Sequence, residues 1–281
     1  MGKIIVGVDG SEGAALALRW AAAEASLRDA ELFAILAWGH LIRDFYDPLD
    51  PDDGETDARA ALDAAIDAVL PPQAARRVRR QTACERAAPA LLDAAAQAEL
   101  LVVGARGLGG FRGLLLGSVS QRCVHHATVP TVVVRDMAPQ ATGRIVVGID
   151  GSSEADAALL WALDEARLRH ASLTVVHAYP PVVPGGPFSA THLEPSRLDE
   201  AATRAVHAAV ARTETTAVDV TPVAVCGSAA GAVIDAGADA DLIVVGSSGL
   251  RATQRLLLGS VASQVVHHAR VPVAVVPIRQ E

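Results

Sequence analysis

The spacing G-x2-G-x9-G-S occurs twice in this chain. The first copy is Gly104, Gly107, Gly117 and Ser118, and the second is Gly246, Gly249, Gly259 and Ser260. Each copy follows an apolar run, LLVV (100–103) or LIVV (242–245), and precedes a helix-like stretch. Glycine lets backbone N–H groups approach an anion closely. A helix N-terminus adds N–H groups that have no partner inside the helix. The spacing therefore reads as a phosphate cradle, present twice.

Two further sets of residues belong beside each cradle. Asp9 and Asp150 come one residue after a V-G-V or V-G-I segment. A carboxylate there can accept hydrogen bonds from a ribose or base, or hold a metal that bridges phosphates. It serves equally as turn or cap chemistry, because Asp-Gly-Ser is a turn signal. Ser118, Val119 and Ser120 open the next helix in the first copy, and Ser260, Val261 and Ala262 do so in the second. Their N–H groups and hydroxyls suit a phosphate oxygen, and Ser118 and Ser260 read alternatively as plain N-caps.

This is not a lysine-dependent P-loop. The pattern G-x4-G-K-[ST] does not occur, and Lys3 is the only lysine. Phosphate charge must be met by N–H groups, an arginine or a metal. Arg106 and Arg112 lie inside the first frame; the second has Ser248 in place of Arg106, with Arg251 and Arg255 elsewhere in the frame. The two sites are therefore expected to differ in affinity. The pairs His125-His126 and His267-His268 suggest metal binding at first sight. Neighbours on a helix point about 100° apart, so helix C-terminal histidines favoured by the dipole are the better reading. Spacing supports no Ser-His-Asp set and no carboxylate pair, and hence no catalytic base.

The elements that must position these residues come from a duplication. Segment 3–38 aligns with 144–179, pairing Asp9 with Asp150 and Trp20 with Trp161; 117–134 aligns with 259–276. The repeat unit is about 140 residues. The domains are placed at 1–138 and 143–281, with the linker near MAPQATG (137–143). In the first copy strands are predicted at 4–8, 32–37, 77–82, 100–104 and 131–135, and helices at 12–28, 56–70, 87–97 and 117–126. Apolar strands alternating with helices imply a parallel sheet covered on both faces, doubly wound, with ligands at the strands' carboxyl ends. Segments 39–55 and 180–196, rich in Pro, Gly or Asp, resist assignment and read as surface loops or lids.

Composition bounds the function classes. The 281 residues are 51% apolar, with 24 basic and 32 acidic side chains and a net charge of −8. An acidic balance disfavours nucleic acid as a partner, and the run Arg76, Arg77, Arg79, Arg80 reads as a solvated helix-to-strand edge. The opening MGKIIVGVDG reads as a strand and turn rather than a secretory leader, and no stretch reads as a membrane span. Three spaced cysteines, Cys84, Cys123 and Cys226, suit reduced thiols and a cytoplasmic location. Cys84 and Cys226 are repeat equivalents and are expected to be buried at strand ends.

Taken together, V-G-V/I-D-G-S, the glycine frame and the closing VPTVVV (129–134) and VPVAVV (271–276) resemble the universal stress proteins, in their tandem-domain actinobacterial form. The resemblance implies an adenine nucleotide alpha hydrolase-like α/β fold, two tandem copies of a doubly wound domain with a five-stranded parallel sheet ordered 3-2-1-4-5. It implies ATP as ligand, and a magnesium ion is one of the open ways to meet the phosphate charge. Carried over by position, it places adenine and ribose near Gly7, Asp9, Ala37 and Val103, and phosphates near Gly104, Arg106, Gly107, Gly117, Ser118, Val119 and Ser120. In the second copy the matching positions are Gly148, Asp150, Ala178, Val245, Gly246, Ser248, Gly249, Gly259, Ser260 and Val261. Ala262 departs from the family's usual Ser or Thr, which loses one possible phosphate hydroxyl.

The resemblance also implies pairing through the terminal strands and a homodimer, alongside a protein partner that the sequence does not identify. The expected role is an ATP-binding stress-response regulator that senses nucleotide, with at most weak hydrolysis. A slow ATPase or nucleotidyl-transfer enzyme, and an ATP-independent interaction or chaperone-like module, stay open as alternatives.

Overall fold

The computed structural model describes residues 2–39, 51–108, 115–135, 141–181, 195–249 and 258–278. Arg112, Arg251, Arg255 and most of the two loop segments, 40–50 and 182–194, lie outside the described residues. The chain divides into two compact units, the first ending at residue 137 and the second beginning at 138.

In the first unit the strands are β1 (Lys3–Gly7), β2 (Glu31–Ala37), β3 (Val78–Ala83), β4 (Leu100–Gly104) and β5 (Thr131–Val134). Between them run α1 (Glu12–Arg28), α2 (Pro51–Val69), the short α3 (Pro72–Ala75), α4 (Ala87–Ala95) and α5 (Ser118–His126). The sheet is parallel in the order 3-2-1-4-5. The continuous apolar run of β4 leaves its first four residues buried, as a strand covered on both faces requires. Right-handed crossovers put α1 and α2 on one face, and α4 and α5 on the other. α1 packs beside α2, and α4 beside α5.

The second unit repeats this plan. Its strands are β6 (Arg144–Ile149), β7 (Ser172–Tyr179), β8 (Val220–Cys226), β9 (Leu242–Gly246) and β10 (Val273–Val276). Its helices are α6 (Ser153–Arg169), α7 (Pro195–Ala211), α8 (Ala229–Ala236) and α9 (Ser260–His268). The order is again third, second, first, fourth, fifth, all parallel.

Several expectations change. The segments read as structureless up to 55 and 196 give way to helix at Pro51 and Pro195. Helix propensity over the following Ala- and Asp-rich stretches outweighs the prolines, because proline is tolerated in a first helical turn. The turn Pro72–Ala75 was not expected at all. Cys84 and Cys226 are exposed, not buried, because each stands at the carboxyl edge of an outermost strand; only Cys123 is buried. The arginine run is only partly the solvated edge expected: Arg76 and Arg77 precede β3 and Arg79, 66% exposed, pairs with Glu31, but Arg80 lies within β3 at 24% exposure and pairs with Asp63 at 2.7 Å.

Each unit carries one deeply placed ion pair in its first helix. Glu24 and Glu165 are both 1% exposed and pair one turn along with Arg28 and Arg169, at 2.5 and 3.0 Å.

Candidate functional site

The site forms where the chain leaves β1 and β4, the point at which the winding of the sheet reverses. After β1, Gly10 adopts a left-handed φ of +83°, which favours glycine. This turn lets Ser11 cap α1: its Oγ accepts from the Ala14 N–H at 3.1 Å. The second unit repeats the device with Gly151 (φ +82°) and Ser152, whose Oγ accepts from Ala155.

Asp9 ties this turn to the glycine frame. Its Oδ1 accepts from the Ser11 N–H at 2.9 Å, and its Oδ2 accepts from the Leu108 N–H at 3.0 Å, ninety-nine residues away. A side chain on Gly107 would meet that Oδ2 at 2.3 Å. In the second unit a side chain on Gly249 would meet Asp150 Oδ2 at 2.4 Å. The Asp and the frame's second glycine are thus one feature, a carboxylate brace closed over a bare backbone.

The frame's other glycines have different reasons. A Cβ on Gly104 would stand 2.5 Å from the Gly13 carbonyl, and one on Gly13 would stand 2.3 Å from the Arg106 carbonyl oxygen. The loop after β4 therefore lies directly on the backbone of α1. Gly117 is the exception. A Cβ there would find nothing nearer than 3.4 Å, an ordinary contact, and its φ of −78° suits any residue. Within the described residues the packing does not demand glycine at 117, and space remains open there.

Gly117 and Gly259 are themselves the N-caps of α5 and α9, without a side-chain cap. Ser118 and Ser260 therefore stand at the first helical position, not at the cap as the alternative reading had it. Ser120 also departs from expectation. It is buried, and its hydroxyl donates to the Gly104 carbonyl at 2.6 Å. Its hydroxyl joins helix to strand end, so the change to Ala262 in the second unit removes an internal bond before it removes a phosphate contact.

Val103 and Ala37 lie at or next to the carboxyl ends of β4 and β2; Val245 and Ala178 take the same places in β9 and β7. Val119 and Val261 lie in the first turns of α5 and α9. Gly7 and Gly148 have a packing reason, since a side chain would strike Leu91 at 2.9 Å or Val233 at 2.7 Å. Arg106 is exposed on the first frame; Gly246, Ser248 and Gly249 are half-buried in the second. His125 and His126 close the last turn of α5 with ring centroids 6.2 Å apart, and among the described residues no cluster of three metal-binding side chains occurs.

Sequence reasoning missed the arginines beside the first frame. A cavity of about 620 Å³ is lined by Arg86, Ser118, Val119, Arg122 and His125. It runs between the N-terminus of α4 and the exposed side of α5. Arg86 and Arg122 lie outside the frame spacing, which is why no motif pointed to them. The second unit has Ser228 and Gln264 at the equivalent positions. In the second unit, Tyr179 donates to Asp199 at 2.8 Å, and this bond to a carboxylate pushes its phenol up to about 12.

Fold and site together define a tandem α/β protein with a glycine-framed loop, closed by an aspartate, at the carboxyl edge of each sheet. The universal stress protein family model matches residues 1–135 and 142–277, and the chain belongs to that family. Universal stress protein Rv2623 of Mycobacterium tuberculosis is 33% identical, over 97% of this chain and 95% of that protein. A universal stress protein of Mycolicibacterium smegmatis is also 33% identical, over 97% and 96%. Among solved structures, a universal stress protein from Archaeoglobus fulgidus shares the fold at a TM-score of 0.70 and 19% identity, covering 98% of this chain and 96% of that one.

Proposed function

We propose that each unit binds an adenine nucleotide, ATP in the first instance, and that the chain acts as a nucleotide-responsive regulator in stress. The observation that carries this reading is Gly117. Packing among the described residues does not require glycine there, yet the residue stands at a helix N-terminus beside a cavity edged with Arg86, Arg122 and Ser118. A bare backbone at such a place suits close approach of phosphate oxygens. Arg106 and the amides of Ser118 and Val119 would meet the phosphate charge. Adenine and ribose would lie toward Val103, Ala37 and Asp9. A magnesium ion would arrive with the phosphates and offset their charge. Asp9, whose two oxygens already accept from Ser11 and Leu108, acts as a brace and not as a base. Nucleotide is therefore held and sensed more than consumed.

Among the described residues no helix is long and apolar enough to cross a membrane. We place the protein in the cytoplasm, acting as a homodimer.

The test is to denature the purified chain, assay released nucleotide, and titrate the nucleotide-free protein with ATP by calorimetry. Gly117→Ala is expected to weaken ATP binding at one of two sites at least tenfold while the melting temperature stays within about 2 °C. Full ATP binding by Gly117→Ala, or none by the wild type, sinks the reading.

A further inference from the structure

The two frames differ at a residue that lies outside the glycine spacing. In the first unit, the loop after β4 rests on Gly13, whose missing side chain makes room for the Arg106 carbonyl. The equivalent residue of the second unit is Glu154. Its backbone still supports the frame, since a Cβ on Gly246 would stand 2.9 Å from the Glu154 carbonyl carbon and oxygen. Its side chain turns onto the frame itself. Glu154 Oε1 accepts from the Ser248 hydroxyl at 3.2 Å, and Oε2 accepts from the Ser153 hydroxyl at 3.1 Å. Ser248 is the residue that replaces Arg106.

The electrostatic consequence is direct. The first frame has one carboxylate, Asp9, and an exposed guanidinium, Arg106. The second has two carboxylates, Asp150 and Glu154, and among its described residues no arginine. The acidic residue of the first unit's corresponding turn, Glu12, is exposed and sits one position before the frame-facing one. A half-buried carboxylate on the cradle opposes the partial positive charge of the amides and repels a polyphosphate. A ligand without phosphate does not meet this repulsion.

We infer that Glu154, held by Ser248, is a specificity-determining residue that biases the second site against the triphosphate and toward ligands of lower negative charge. The inference rests on the reading that both frames bind adenine nucleotides. The experiment is calorimetric titration of the full chain with ATP and with adenosine, after removal of divalent cations so that charge is read directly. Wild type, Glu154→Gln and Ser248→Arg are compared, with circular dichroism melts to verify folding. Glu154→Gln keeps the side-chain shape and removes the charge; Ser248→Arg restores the first unit's residue and neutralises the carboxylate.

Two unequal ATP sites are expected in the wild type, the weaker tightening about tenfold in both variants while adenosine affinity stays within twofold. Equal ATP sites in the wild type, or a weaker site unmoved in both variants, overturns the role of Glu154 and leaves nucleotide binding standing. Absence of ATP binding in a folded wild type overturns the functional reading, and this inference with it.

Discussion

In the first unit the loop after β4 rests on a bare backbone, and in the second the same backbone seat carries a carboxylate that reaches the loop. The Gly13–Arg106 contact is between main chains: a Cβ on Gly13 would lie 2.3 Å from the Arg106 carbonyl oxygen. The Glu154–Ser248 contact is between side chains at 3.2 Å. The strand order and the Asp-to-glycine brace are the same in both. The duplicated fold has therefore held the geometry of the glycine frame while the charge beside it diverged. Backbone position is set by sheet and helix packing, which few substitutions can move; side-chain charge at the rim is free to change.

The largest expected effect tests what the units share. Removing the arginine of a deeply placed pair takes a charged partner from a carboxylate that is 1% exposed, at a cost of about 3 kcal/mol. Arg28→Met and Arg169→Met should each destabilise their own unit by that order, read by amide hydrogen exchange resolved unit by unit. Loss in only one unit would show that the repeated pair is not energetically equivalent.

Next come the first glycines of the two frames. Gly104→Ala drives a methyl into the Gly13 backbone at 2.5 Å, whereas Gly246→Ala meets Glu154 backbone at 2.9 Å. Overpacking against backbone costs about 1–3 kcal/mol. Gly104→Ala should fall near the upper end and Gly246→Ala near the lower, in chemical denaturation. The reverse order would break the claim that the first loop is the more tightly seated.

The smallest effect concerns titration. Burial pushes the Cys123 thiol from 9.0 up to about 12, while its equivalent in the second unit is the non-titrating Val265. Cys123 is thus expected to resist iodoacetamide at pH 8 in the native protein, where exposed Cys84 and Cys226 react. The raised value also fixes the sign of the stability effect. The buried neutral thiol contributes fully below pH 9.0, and its contribution is lost as pH rises from there toward about 12. Cys123→Val should remove that part of the alkaline slope in the first unit. Mass spectrometry of the alkylated protein checks the first expectation, and hydrogen exchange against pH the second.

Most of the fold was legible because its signals are periodic and local. The run LLVVG gave β4 at its observed bounds, and the spacing of Ala, Leu and Trp gave α1 over 12–28. Order 3-2-1-4-5 followed from a resemblance, and the pairing of β1 with both β2 and β4 agrees with it. The helix starts at Pro51 and Pro195 were hidden by residues that punctuate loops as readily as they open helices. The exposure of Cys84 and Cys226 was hidden because strand-end burial depends on whether another strand lies alongside. Ser120 was identified by position but not by direction: its hydroxyl faces the Gly104 carbonyl, not outward.

By itself the sequence determined the duplication, the alternation of strand and helix, and the spacing of the glycine frame, because these depend on side-chain size and polarity at short range. Tertiary structure alone decided what each glycine is for. Gly107 is bare because Asp9, ninety-eight residues earlier in the chain, closes over it, and Gly104 because Gly13 packs there. Gly117 is left open. It also decided that Glu154 faces the second frame, since only the approach of α6 to the loop after β9 brings that carboxylate to Ser248. Contacts between residues a hundred apart in sequence form when the sheet assembles, and no local pattern encodes them.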